Sequence, residues 1–80
     1  YMNRQQQFQT FILERVRQGY QEQAQVLLDE SFARQANGTF DLDYLETWTK
    51  AMIPLIDENA WPEVRAVIME FKANLKAKYQ

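Results

Sequence analysis

Apolar residues recur along this chain at the three- and four-residue spacing of helices, and no stretch alternates polar with β-branched residues as a half-buried strand would. Phe8, Phe11, Ile12 and Val16 form the first stripe. Asn3 stands ahead of it as a cap, and Gln6, three residues on, completes a capping box. Tyr20, Ala24, Leu27, Leu28 and Phe32 form a second stripe, with Gly19 as the expected break between the two. Yet residues 8, 12, 16, 20, 24, 28 and 32 stay in phase across that glycine, and one glycine costs only ~1 kcal/mol inside a helix. Two helices, or a single long one over residues 4–36, both satisfy the pattern.

Asn37-Gly38 ends this region in a left-handed cap. Asp41 then caps a third helix, with Phe40 placed to staple onto Leu45. Leu42, Leu45, Trp48, Met52, Leu55 and Ile56 make its apolar face. Tyr44, Ala51 and Ile53 extend that face around most of the circumference, so this helix is expected to be central. Pro54 removes a backbone donor and predicts a kink or an early stop. Asp57-Glu58-Asn59 reads as a turn with Asn59 as cap, and Pro62 fits only the first turn of a following helix. In that fourth helix Trp61, Val64, Ile68, Phe71 and Leu75 make a heptad-like seam, and Glu63 and Lys72, Lys76 and Lys78 complement its dipole. The prediction is an all-α, compact antiparallel bundle of four helices, or three if residues 4–36 are continuous, with the third and fourth supplying most of the core.

Composition narrows what such a bundle can be. Eighty residues make one domain, and 46% apolar residues exclude intrinsic disorder. Chains of this size have a small core and often gain stability by oligomerising, so a homodimer is expected. There is no cysteine and no histidine, which removes disulfides, thiolate nucleophiles, Cys/His zinc sites and histidine acid–base chemistry together. With no signal-like or membrane-spanning apolar segment, a soluble, cytoplasmic protein without membrane association is expected. The chain begins Tyr1-Met2, so residue 1 is not expected to be the native start: either Met2 is the initiator behind an added residue or the chain is an excised segment.

Candidate chemistry is sparse. Asp41, Asp43, Glu46, Asp57 and Glu58 would bind a divalent cation or perform acid–base work only if they converged in a cleft, and helix capping accounts for them. Asn37-Gly38-Thr39 matches a glycosylation acceptor but coincides with a helix stop. No catalytic residue, cofactor or metal is therefore expected. Formal charge is −2, and a third helix opening with Asp41, Asp43 and Glu46 opposes a helix-turn-helix reading, so nucleic acid is not the expected partner. Arg4, Arg15, Arg17 and Arg34 keep weak nucleic-acid binding as the alternative. The fourth helix carries a second stripe, Ala66, Met69, Ala73 and Ala77, roughly opposite its seam. With Tyr44 and Tyr79, whose positions the pattern constrains least, these residues are the candidate contacts of a non-enzymatic interaction or self-association module. On this reading Met69→Lys or Ala73→Glu weakens a homodimer without unfolding the protomer.

Overall fold

A computed structural model describes residues 2–78 and decides between the two patterns. Four helices pack as a bundle: α1 (Arg4–Leu13), α2 (Gln21–Asn37), α3 (Leu42–Met52) and α4 (Trp61–Lys78), with no strand among the described residues. The start of α1 is the expected capping box. Asn3 Oδ1 accepts from the Gln6 N–H at 2.8 Å, and Gln6 Oε1 accepts from the Asn3 N–H at 3.0 Å.

The single long helix is excluded, and the break comes earlier than the apolar phase implies. Helix α1 stops at Leu13, and Val16 lies in an extended connection rather than on a helical stripe. The reason is a competing set of backbone partners. The Arg17 N–H donates to Leu55 O at 2.8 Å and the Asp57 N–H to Arg15 O at 2.9 Å, pairing Val16 with Ile56 in one antiparallel bridge. Both side chains of that pair are buried. Gly19 then turns the chain at φ +93°, a conformation that costs an L residue but not glycine. Tyr20, expected on the buried face of the second helix, instead occupies the position ahead of α2 and is 44% exposed.

The remaining boundaries follow local chemistry. Gly38 ends α2 at φ +75°, with its N–H 3.4 Å from Gln35 O and the Thr39 N–H 2.9 Å from Arg34 O. Asp41 Oδ1 accepts from the Tyr44 N–H at 2.8 Å and starts α3. Pro54 ends it, since the chain tightens into a 3₁₀ turn over Ile53–Leu55 and leaves helical geometry at Ile56. The cap of the next turn is Asp57, whose Oδ1 accepts from the Asn59 N–H at 2.9 Å. Asn59 is thereby displaced from its expected capping role, because Glu58–Ala60 runs as a 3₁₀ turn straight into α4.

Helix α3 is central, burying Tyr44, Leu45, Trp48 and Met52. Helix α4 contributes less than its seam implies. Of this seam Val64 and Ile68 are buried, while Trp61, Phe71 and Leu75 are half-buried. The connections make up the difference, since Val16, Phe40, Ile56 and Ala60 join Ile12, Ala24 and Leu28 in one cluster. Two indoles tie elements together, Trp48 joining α3 to α2 and Trp61 joining α4 to the preceding turn. Trp48 Nε1 donates to Leu27 O at 2.9 Å, and Trp61 Nε1 is shared between Ile53 O and Ile56 O, each at 3.1 Å. Among the described residues no helix is long and apolar enough to cross a membrane.

Candidate functional site

Helices α1 and α4 are held together at one end. Arg15 Nε donates to a Glu63 carboxylate oxygen at 2.8 Å, Arg15 Nη1 donates to Phe11 O at 2.9 Å, and the guanidinium lies 4.0 Å over the Phe11 ring. Away from that clamp the two helices do not close on one another, and an open groove of about 870 Å³ runs between them. Phe8 and Phe11 form its α1 wall, Val67 and Phe71 its α4 wall, and Leu45, Trp48 and Ser31 from α2 and α3 contribute to its lining. The Phe8 ring sits 6.0 Å from that of Trp48, and Phe40 packs edge-on to Phe71 with centroids 5.3 Å apart. A smaller pocket of about 300 Å³ beside Phe40, Phe71 and Leu75 adjoins the same aromatic pair.

The lining has few polar demands of its own. Ser31 is the buried polar residue among those described, and its hydroxyl is satisfied by donating to Leu28 O at 2.8 Å. Gln5, Gln7, Gln35 and Asn74 surround the groove with neutral amides. Among the described residues two charges line it, Arg4 on α1 and Glu70 on α4. Neither forms an ion pair among the described residues. The surface is thus apolar and aromatic, with a rim made mostly of neutral amides.

The sequence candidates fall in three different environments. Ala66, Met69, Ala73 and Ala77 are all exposed on α4, Met69 at 68%. Tyr44 does not join them, which corrects its expected place on a contact surface. It lies inside the core, on the face of α3 that also buries Leu45, Trp48 and Met52, with Phe40 edge-on at 5.0 Å and the Arg34 guanidinium 4.1 Å over its ring. Among the described residues its hydroxyl has no partner at hydrogen-bond geometry. Burial and then the neighbouring Glu30 carboxylate favour the neutral phenol and push its pKa up to about 12, against the opposing pull of Arg34. Tyr79 lies outside the described residues.

The other candidate groups serve the fold. Asp41 and Asp57 are caps. Glu46 pairs with Lys50 one turn on at 3.2 Å, and among the described residues no three acidic side chains gather as metal ligands would. Of the four arginines considered for nucleic acid, Arg15 clamps α1 to α4, Arg17 Nε donates to Ile56 O at 3.1 Å, and Arg34 stacks on Tyr44. Asn37-Gly38-Thr39 is the helix stop read from its sequence. The groove itself went unseen in the sequence, where Phe8, Phe11 and Phe71 count as ordinary core positions. Half-burial of an aromatic leaves no mark on periodicity. Comparison with protein-family models, with curated proteins and with solved structures returns no match for this chain.

Proposed function

We propose that this protein is a non-enzymatic protein-interaction module whose working surface is the groove between α1 and α4. The observation that carries the reading is the cluster of half-buried aromatic and apolar side chains, Phe8, Phe11, Phe32, Val67 and Phe71, lining one open groove under a nearly neutral rim. Aromatic side chains held in a pre-formed concavity are what partner interfaces use as energetic anchors. A helix presenting large apolar residues at positions i, i+3 or i+4, and i+7 is the ligand such a trough accommodates. The engagement of Arg15, Arg17 and Arg34 within the fold favours this reading over nucleic-acid binding, which requires arginines free to meet phosphates.

Selection from a library of amphipathic helical peptides tests it directly. Binders are expected to carry the i, i+3/i+4, i+7 apolar pattern, and Phe8→Asp or Val67→Asp is expected to abolish their binding while far-UV circular dichroism stays that of the parent. Peptides that bind both variants as well as the parent would place the docking surface elsewhere.

A further inference from the structure

The outer face of α4 has a packing periodicity of its own. Ala66, Glu70, Ala73 and Ala77 are spaced alternately four, three and four apart, and all four are exposed. At 100° per residue the three alanines point within about 60° of Glu70, so they form one continuous strip with a single acid in it. Met69 lies beside the strip, about 40° beyond Ala73 and on the side away from Glu70. Alanines at this spacing let a second helix approach closely, and nothing among the described residues covers them. On the opposite side of the groove, the α1 wall carries the one cation of the lining, Arg4.

We propose that the occupant of the groove is a second copy of this chain, docked reciprocally, so that α4 of each copy lies in the trough between α1 and α4 of the other. In this arrangement the Val67 side of each α4 meets the partner copy's α4, and its alanine strip meets the partner copy's α1. Glu70 is then presented to Arg4 of the partner copy, and a twofold axis along the groove generates the pair twice. The levels agree. The Arg15–Glu63 contact sets the C-terminal end of α1 beside the N-terminal end of α4, and equal counts from it reach Arg4 on one helix and Asn74 on the other. Arg4 and Glu70 are thus offset by about one helical turn, ~6 Å, which an arginine and a glutamate side chain can bridge. Within one protomer the same two groups stand on opposite walls and leave each other unpaired, whereas the twofold partner gives each a counter-ion.

This inference rests on the groove being a docking surface but is separable from that reading. The test measures molar mass by light scattering and sedimentation equilibrium over a concentration series for the parent, R4E, E70R and an equimolar mixture of the two variants. The parent is expected to be a monomer–dimer system. Each variant alone is expected to dimerise at least tenfold more weakly, because its homodimer holds two like-charged contacts. The mixture is expected to recover parental affinity as a heterodimer, since both contacts are then of opposite sign. Ala73→Glu, which puts a charge against the partner copy's α1, is expected to weaken the dimer. A parent that stays monomeric, or variants that dimerise as well as the parent, would overturn the proposal, as would a mixture that does not associate beyond its components. If those results came together with helical peptides that bind through Phe8 and Val67, the interaction-module reading would stand and only the second copy would be excluded.

Discussion

Tyr44→Phe should stabilise this protein, and by an amount that grows as the solution is made alkaline. Its hydroxyl is buried without a hydrogen-bond partner, and leaving such a group unmet costs about 1–3 kcal/mol. Phenylalanine keeps the ring, its edge contact with Phe40 and its place under Arg34, so most of the packing is retained. Allowing for the loss of the Glu30 interaction, we expect a gain of about 1 kcal/mol at pH 8. The pH dependence follows from proton linkage. The phenol's pKa is about 12 in the folded protein and 10.0 in the open chain, so the folded state holds the proton where the unfolded state releases it. Its stabilising contribution is complete below pH 10 and is lost as pH rises from there toward 12. At pH 11 the loss is about 1.4 kcal/mol, one pH unit's worth. The phenylalanine variant has no such loss, so its advantage over the parent should widen by that amount between pH 8 and pH 11. Urea unfolding followed by far-UV circular dichroism at the two pH values measures it, with the difference cancelling contributions from other tyrosines and from lysines. An advantage that stays constant across this range would refute the reasoning, because it would mean that the folded environment does not hold the Tyr44 proton.

Three further outcomes follow from the turns and caps. Gly19→Ala meets no neighbour within 4 Å, so its expected cost of about 1–2 kcal/mol is purely that of positive φ and should appear as a lowered urea midpoint with an unchanged slope. Asp41→Ala removes the acceptor for the Tyr44 N–H and should lower stability by about 1 kcal/mol, while Asp41→Asn should recover most of it in the same assay. Trp61→Phe should cost about 1 kcal/mol and no more, because Ile53 O keeps the Ile56 N–H and Ile56 O keeps Arg17 Nε as second donors; thermal unfolding of the variant measures it.

The dimer proposed above gives the α4 surface an economy that a monomer lacks. A helix whose seam buries Val64 and Ile68, with Phe71 and Leu75 half-open, contributes little to a protomer core for its length. Lodged in a partner's groove, the same helix would cover the partner's Phe8 and Phe71 and have its own Phe71 covered in turn. Small domains commonly recover in this way the stability that a single core of their size does not supply.

What the amino-acid order determined by itself was local. Asn3 with Gln6, Gly38 in its left-handed cap, Asp41 before Leu42, and Pro54 after α3 each act within one turn of chain, through a hydrogen bond or a forbidden dihedral that needs no distant partner. The all-helical class follows from the same short-range preferences summed along the chain. The tertiary structure decided whatever depended on a partner far away in sequence. Val16 leaves the helical phase because the backbone around Ile56 offers it a better set of hydrogen bonds, and Asp57 displaces Asn59 as a cap once the chain bends into α4. Tyr20 is exposed for reasons of helix placement that periodicity does not encode. The groove is the clearest case. Phe8, Phe11 and Phe71 carry the same apolar signature as the residues of the core, and only the splaying of α1 from α4 beyond the Arg15–Glu63 clamp leaves them half-open, because burial is a property of how helices meet and not of the residues they carry.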